Sequence, residues 1–441
     1  MTRHFLMAGV LAFGAISPAP PRTSVAHAGP ADSLTTTYVV DGIRVVQRRT
    51  NVSTVIANVY LLGGVRAAPA GLAGIENFLL QVSERGTTKY PRDVLRRAVA
   101  RTGAEIVVEP REDWTMFGVR TTATELDSAW AIFADRLVHP RLAAADVEFV
   151  REQMLAGIRQ RADSPDALLE YVADSTAYAG SPYALSSVGT EESLARATRE
   201  DLLEFHKTTF TRSRIVVVVV GNVDRPGVER LLRGTLTTLP AGSYSWSLPD
   251  TLPTATPAAA IVGRPLPTNY IQGYFRGPPA SSPDAAALRV ASAVLSGRLF
   301  GEIRSRRNLT YAVSANYRDR ALTSVGLYVT TTMPDSVLGI MANEIRALQT
   351  FEIPTDFLRP VIQQFITEYF LDNETSAAQA DFLARAYLYR GDATAGERFV
   401  AELRGVTGAD IRRVAQLYFR NASWAYIGDP ASVTRARMLR F

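Results

Sequence analysis

The two halves of this chain end in the same pattern of residues, and this repeat constrains the fold more than any other feature of the sequence. In each half a Thr-x-x-Asp helix start is followed by a phenylalanine and then by an apolar strand. The matching segments are residues 197–202, Phe210 and residues 214–222 in the first half, and residues 406–411, Phe419 and residues 425–428 in the second. An internal duplication of about 200 residues explains the match, so we expect two copies of one structural plan.

Each copy has a pattern of strands and helices that predicts an α+β fold. The first copy opens with two β-rich runs around an Asp41-Gly42 turn and ends in a strand with five consecutive valines. A run so apolar predicts a central strand buried on both faces. We therefore predict two homologous domains, residues 29–240 and 258–441, each a mostly antiparallel sheet packed with helices. Residues 241–257 are rich in Pro, Ser, Thr and Gly and are predicted to form the linker.

The side chains available limit the chemistry of the chain. There is no cysteine among the 441 residues, which excludes disulfides, thiolate metal sites and cysteine nucleophiles. The four histidines are His4, His27, His139 and His206, which leaves little material for a histidine metal site or a Ser-His-Asp triad. The net charge is +5, and the arginines are scattered among carboxylates, so nucleic acid is not an expected partner.

The N-terminal stretch, residues 1–28, has the pattern of a secretory signal peptide. Arg3 and His4 give a weak positive start, residues 5–16 are apolar, and Ala26-His27-Ala28 supplies a small-x-small cleavage site. The apolar run is too short to span about 30 Å of hydrocarbon. We expect an exported protein, periplasmic if the source is Gram-negative, with no membrane span in its mature form.

One helix of the first half has the spacing of a metal-binding helix but not its ligands. Within residues 71–81, Asn77, Leu80 and Gln81 share one face, at positions i, i+3 and i+4. That spacing would present two metal ligands beside a catalytic acid, but zinc needs imidazole, thiolate or carboxylate groups. The residues alone favour a simpler interpretation, in which Asn77 and Gln81 are polar positions of a half-exposed helix. The buried stripe of the helix is predicted to be Leu72, Ile75, Leu79 and Val82.

Segments in both halves carry a family resemblance. The most specific is L-F-G-E-I-R at residues 299–304 followed by L-T-Y at residues 309–311, and others lie at residues 74–86, 181–189 and 198–210. From about residue 37 to residue 428 the chain resembles the pitrilysin, insulinase and mitochondrial-processing-peptidase group of zinc metalloproteases. The resemblance implies a metalloprotease-like half-chamber, two of the four α+β domains that enclose a peptide substrate in this group.

The resemblance also implies that the zinc site of the family is lost here. The active helix of the family carries H-x-x-E-H, with two histidine ligands and a glutamate as general base. Those positions align with Asn77, Leu80 and Gln81, and the third zinc ligand aligns with Arg159, although Glu152 is retained. The resemblance therefore implies no metal and no cofactor in this chain, and zinc in a homologous partner subunit with an intact H-x-x-E-H.

The groups with which the second half of the family contacts substrate are retained. The resemblance assigns them to Arg304 and Tyr311, whose guanidinium and phenol would stabilise negative charge on the peptide carbonyl oxygen. Without the resemblance, Arg304 would be one of many surface arginines and Tyr311 a packing residue of a strand. The neighbouring Arg306 and Arg307 are either solvated or part of an electropositive chamber wall.

The family also binds peptides as an added strand at a sheet edge. The corresponding strand is residues 104–109, where Val107 stands in place of the usual asparagine. Pairing through the backbone survives such a change, because it does not use the side chain.

Two functions from different classes remain open. The first is the non-zinc-binding subunit of an exported heterodimeric zinc metalloprotease, inactive alone, which completes the chamber and donates Arg304 and Tyr311 to peptide substrates. The second is a catalytically inert assembly or peptide-binding scaffold on the same fold. A neighbouring gene of similar length with the intact zinc motif would favour the first function, and its absence the second.

Overall fold

A computed structural model describes residues 34–249 and 256–441, which we call the first half and the second half. The predicted signal peptide, residues 1–28, lies outside the described residues. None of the helices in the two halves combines the length and the apolarity that a membrane span needs.

The first half is built from six strands and eight α-helices. The strands are β1 (Thr35–Val40), β2 (Ile43–Arg49), β3 (Thr54–Leu62), β4 (Glu105–Pro110), β5 (Trp114–Thr122) and β6 (Ile215–Gly221). The helices are α1 (Ile75–Ser83), α2 (Arg92–Thr102), α3 (Leu126–Val138), α4 (Ala144–Asp163), α5 (Pro165–Ala177), α6 (Glu191–Arg196), α7 (Arg199–Thr209) and α8 (Arg225–Arg233).

The six strands form one sheet in the order β1-β2-β6-β3-β5-β4. The valine strand β6 is central, parallel to β2 and antiparallel to β3, and all its residues are buried, as predicted. The remaining pairs, β1 with β2, β3 with β5 and β5 with β4, are antiparallel. Strand β4 is therefore an edge strand, with its outer side unpaired among the described strands.

The second half repeats these elements with small changes. Its strands are β7 (Ala258–Gly263), β8 (Asn269–Pro279), β9 (Val313–Arg318), β10 (Leu322–Thr331) and β11 (Ser423–Gly428). Its α-helices are α9 (Asp284–Leu299), α10 (Pro334–Thr350), α11 (Thr355–Asp372), α12 (Ser376–Arg390), α13 (Ala395–Arg404), α14 (Gly408–Tyr418) and α15 (Arg435–Met438).

The second sheet has the order β7-β11-β8-β10-β9, which matches β2-β6-β3-β5-β4 of the first sheet strand for strand. In each sheet the last strand in sequence lies second in this order, parallel to one neighbour and antiparallel to the other. The α+β class with two mostly antiparallel sheets, predicted from the sequence, is confirmed by this topology.

The helix before the last strand begins in the same way in both halves. In α7 the Asp201 amide donates to Thr198 Oγ1 at 3.1 Å, and the Thr198 amide donates to Asp201 Oδ2 at 2.8 Å. In α14 the Asp410 amide donates to Thr407 Oγ1 at 3.2 Å, and the Thr407 amide donates back at 3.1 Å. Both starts are reciprocal capping boxes, which satisfy amides that a helix leaves unpaired.

We expect Thr198→Ala and Thr407→Ala each to lower the free energy of unfolding by about 1 kcal/mol, because each removes the acceptor of one cap. The measurement is urea unfolding followed by circular dichroism. Thr208→Ala is the matched control, since Thr208 is exposed within α7 and only bonds the preceding turn. Alanine favours a helix more than threonine does, so the control should not destabilise the protein. Equal losses in all three variants would exclude a specific role for the caps.

Each sheet packs one face against helices of its own half. In the first half, Val217 and Val219 of β6 join a core with α1, α3, α4 and α7. In the second half, Trp424 and Tyr426 of β11 join the corresponding core with α9, α10 and α14.

The other face of each sheet is covered by a helix from the opposite half. Val216, Val218 and Val220 pack against Leu383 and Ala384 of α12. Reciprocally, α5 of the first half packs Leu169 and Ala173 against Ala425 and Ile427 of β11. This exchange of α5 and α12 explains why the valine strand is apolar on both faces.

The described part of the predicted linker contacts both halves. The Tyr244 amide donates to Ser213 Oγ at 3.0 Å, and Trp246 Nε1 donates to the Leu388 carbonyl at 2.9 Å. Residues 241–249 are thus an extended segment that is fixed at two points.

Candidate functional site

Helix α1 begins at Ile75, four residues later than the start of the predicted helical segment. Gly71 and Gly74 have φ of 74° and 83°, in the left-handed region that glycine favours. A Cβ on Gly74 would lie 2.4 Å from the Gly189 backbone nitrogen. The two family-like segments at residues 74–86 and 181–189 are therefore in direct contact, and this contact fixes the start of the helix.

The predicted buried positions Ile75, Leu79 and Val82 of α1 are confirmed, but the predicted polar face is wrong. Leu80 is fully buried and belongs to the same core as Leu79, and Asn77 is only 6% exposed. Gln81 is partly exposed, and its Nε2 donates to Asn77 Oδ1 at 3.4 Å. The interpretation of α1 as a half-exposed helix fails for the same reason, because neighbouring elements cover it on nearly all sides.

The residue before Asn77 forms an ion pair that the sequence did not indicate. Glu76 and Arg214 are 5% and 2% exposed, and their charged atoms lie 2.6 Å apart. Burial raises the pKa of Glu76, and the Arg214 guanidinium opposes that shift. Arg214 also donates to the Leu62 carbonyl, so this pair ties α1 to the sheet. Glu76 is engaged in this structural pair, which points away from a metal-ligand role.

Gln81 lines a cavity of about 900 Å³ together with Val150 and Gln153 of α4. Because a helix repeats every 3.6 residues, Gly157 falls on the same face of α4, whereas Arg159 lies on the opposite side. The Arg159 side chain is 61% exposed and lies 3.5 Å from Glu191. The structure therefore brings together Asn77 and Gln81, with Leu80 buried beside them, but it does not bring Arg159 to this group.

The residues around α1 do not fit zinc. Two amides and a leucine occupy the positions that the family resemblance gave to ligands and base, and amides are poor zinc ligands. Within residues 34–249 and 256–441, no group of three His, Asp or Glu side chains is placed to hold a metal ion.

Arg304 lies in a π-helix that follows α9. The π-helix spans Phe300–Ser305, and the Arg306 amide donates to the Gly301 carbonyl at 3.0 Å, five residues back. Insertions of this kind occur often at functional sites. The chain then turns at Asn308, which has a positive φ of 51°, and leads to Tyr311.

The Arg304 guanidinium lies over two aromatic rings. Its Cζ is 5.1 Å from the centre of the Phe300 ring and 4.9 Å from that of Tyr311. Tyr311 is 66% exposed. Arg306 and Arg307 both pair with Glu302, whereas no carboxylate of the described residues lies within ion-pair distance of Arg304. Of the three arginines in this segment, Arg304 alone is held by rings rather than by a counter-charge.

The predicted peptide-binding strand is the edge strand β4. Its residues after Glu105 are partly exposed, as an edge that can accept another strand requires. Ile106 lines the cavity beside Gln81, and Val107 packs toward the face that α12 covers. The asparagine position of the family is thus an apolar packing position in this chain.

Asp113 joins the two halves, and the sequence did not single it out. It is 2% exposed and accepts hydrogen bonds from the Tyr183 hydroxyl, from the Tyr389 hydroxyl at 3.0 Å and from the Ala321 amide at 3.1 Å. Arg66 lies 3.3 Å away. Tyr389 and Ala321 belong to the second half, so one carboxylate of the first half holds both.

A second polar contact between the halves lies beside Asp113. Arg320, which is 5% exposed, is 3.0 Å from Glu112 and 3.2 Å from Asp174. Arg318 is 2.6 Å from Asp174. The β9–β10 turn of the second half is therefore anchored to α5 and to the β4–β5 loop of the first.

Each half of the chain contains residues that match a known family model. Residues 44–191 match the sequence model described as "Insulinase (Peptidase family M16)", and residues 196–364 match the model "Peptidase M16 inactive domain". The chain belongs to the insulinase family of peptidases. This bears out the resemblance that the segments in both halves indicated.

Other members of the insulinase family resemble this chain over much of its length. An uncharacterized zinc protease of Mycobacterium tuberculosis is 25% identical over 93% of this chain and 97% of its own. Human cytochrome b-c1 complex subunit 1 is 26% identical over 58% of this chain and 54% of its own. The crystal structure of a peptidase M16 inactive domain from Pseudomonas fluorescens has a TM-score of 0.82 with 16% identity, over 91% of this chain and 99% of that one. That structure shares the fold.

Proposed function

We propose that this chain is the non-zinc-binding subunit of an exported heterodimeric metallopeptidase, in which it completes the peptide chamber. The observation that carries the proposal is the exposed pair of Arg304 and Tyr311. Neither the Arg304 guanidinium nor the Tyr311 hydroxyl bonds to a carboxylate of the described residues. Members of the family with an inactive domain usually pair with a zinc-bearing partner. Asn77, Leu80 and Gln81 support the same assignment, because they stand at the positions that the resemblance gives to the zinc ligands and the general base.

The chemistry that these two side chains supply is stabilisation of developing negative charge. A phenol and a guanidinium both donate hydrogen bonds, and neither needs to give up or accept a proton to do so. When a peptide carbonyl is attacked, charge gathers on its oxygen, and donors placed in advance lower the barrier. The rings of Phe300 and Tyr311 hold the Arg304 guanidinium in one place, which reduces the freedom it must lose on binding substrate.

The second candidate is a catalytically inert scaffold. The similarity to cytochrome b-c1 complex subunit 1 favours it, because that protein is, by its name, a subunit of a complex. A scaffold has no need of an exposed donor pair, whereas a peptidase subunit does, and for this reason we place the peptidase subunit first.

Co-purification tests the proposal. We expect this chain, isolated from the periplasmic fraction of its source, to carry a homologous subunit with an intact H-x-x-E-H. The complex should contain zinc and cleave peptides, while this chain alone should contain no stoichiometric zinc and cleave nothing. Mixing the separated subunits should restore cleavage. A stable complex with a homologous subunit that never cleaves peptides would favour the scaffold, and stoichiometric zinc in this chain alone would contradict both candidates.

A further inference from the structure

The cavity beside Gln81 is lined by more basic than acidic side chains. It is open to solvent on one side and is lined by α1 and the residues after it, and by α2, β4, α3 and α4, all from the first half. Its charged lining residues are Glu84, Arg85, Arg92, Asp93, Arg96 and Arg136. Four guanidinium groups thus face two carboxylates, and the cavity has an excess of positive charge.

Arg136 is the most unusual of these residues. It is 4% exposed, and burial lowers its pKa to about 10, so it remains protonated at neutral pH. Its Nε donates to Ser83 Oγ and its Nη2 donates to the Leu80 carbonyl, both at 3.3 Å. Both acceptors are neutral, and Nη1 donates to no atom of the described residues. The charge of Glu84, in the same cavity, partly opposes the effect of burial on the pKa of Arg136, but no carboxylate of the described residues bonds to this guanidinium. A buried guanidinium without a bonded carboxylate is costly, and an anion entering the cavity would offset part of that cost.

The other arginines differ in how far they are neutralised. Arg85 lies 3.4 Å from Asp146 and stacks on Phe149. Arg96 is exposed, and no carboxylate of the described chain lies within ion-pair distance of it. Arg92 is also exposed and pairs with no carboxylate of the described chain, but its guanidinium lies 6.0 Å from the Phe149 ring on which Arg85 stacks. Arg136 and Arg96 are thus the lining guanidinium groups that neither pair with a carboxylate nor lie over Phe149, and they remain available to an anion.

We propose that this cavity binds a carboxylate of an extended peptide, through Arg136 and Arg96. Guanidinium groups match the planar geometry of a carboxylate. A volume of about 900 Å³ is within the range of pockets that hold sizeable ligands, and far exceeds the volume of a single small anion. Ile106 of the edge strand β4 lines the same cavity, so a peptide lying along β4 would place side chains over the opening. The site uses this chain alone and is independent of the zinc-bearing partner.

The test is binding of blocked decapeptides to the purified full chain, measured by calorimetry. One peptide carries a central glutamate and the other a glutamine, and both are acetylated and amidated so that no terminal charge contributes. We expect the glutamate peptide to bind at least about tenfold more tightly, as is usual for a hydrogen-bonded charge. A third peptide, with glutamine and a free C-terminus, shows whether a terminal carboxylate serves equally well. Equal affinity for the two blocked peptides would overturn the proposal.

Two substitutions locate the site. Arg136→Met should abolish the preference for glutamate, and Arg96→Gln should weaken binding of the glutamate peptide several-fold. Arg97→Gln is the matched control, because Arg97 is an exposed neighbour on α2 that does not line the cavity. If Arg136→Met fails to fold, the comparison of Arg96→Gln with Arg97→Gln decides. Equal effects of those two variants, or displacement of the peptide by micromolar inorganic phosphate, would contradict a peptide carboxylate site.

Discussion

Replacing Asp113 with alanine is expected to lower the free energy of unfolding by about 3–5 kcal/mol, the cost of removing one partner from a buried charged cluster. In the native protein four groups bond to the Asp113 carboxylate: the hydroxyls of Tyr183 and Tyr389, the Ala321 amide and the Arg66 guanidinium. The substitution leaves all four without this acceptor. Two of these donors lie in the second half, so the contact between the halves should weaken as well. Equilibrium urea unfolding measures the loss.

Asp127→Ala is the control for Asp113. Asp127 also pairs with an arginine, Arg230 at 3.0 Å, but both side chains are more than half exposed. Exposed pairs contribute at most about 1 kcal/mol, because water and ions screen them. A loss at Asp113 no larger than the loss at Asp127 would show that the buried cluster does not hold the halves together.

Changing Tyr311 to phenylalanine is expected to lower kcat of the reconstituted peptidase by about 10²–10³-fold, the cost of removing one donor to a developing oxyanion. Only the hydroxyl is lost, so the ring remains against the Arg304 guanidinium. KM should change much less than kcat if the hydroxyl acts on the transition state rather than on the bound peptide. Assembly should be unaffected, because the change removes a single hydroxyl and leaves the aromatic ring in place.

Matched variants separate this effect from general damage. Tyr171→Phe removes the hydroxyl of another exposed tyrosine, on α5, and should leave kcat unchanged. Arg304→Gln should be as harmful as Tyr311→Phe, whereas Arg306→Gln should be nearly silent, since Arg306 pairs with Glu302 at the surface. Full activity of Tyr311→Phe in an assembled, zinc-containing complex would show that the assigned role is wrong.

The sequence predicted those features that depend on local pattern. The valine strand could be placed at the centre of a sheet because a strand exposed on either face would alternate with polar residues. The capping boxes of α7 and α14 were recognisable because their partners are three residues apart. The duplication followed from the same local signals occurring twice.

Features that depend on distant partners were not predictable in this way. Asp113 lies in a charged loop, which normally indicates a solvated turn, yet its partners are 70, 208 and 276 residues away. Leu80 and Asn77 were placed on an exposed face because periodicity shows only which residues share a side of a helix. It does not show that α3, α4 and α7 surround α1.

The exchange of α5 and α12 makes each half of the chain depend on the other. A single copy would leave one face of its sheet uncovered, with three valines of β6 exposed to water in the case of the first half. Such a copy needs a second one whose helix lies on that face, as in a domain-swapped dimer. Within this chain the two halves supply that helix to each other, so each sheet is covered on both faces only when both halves are folded.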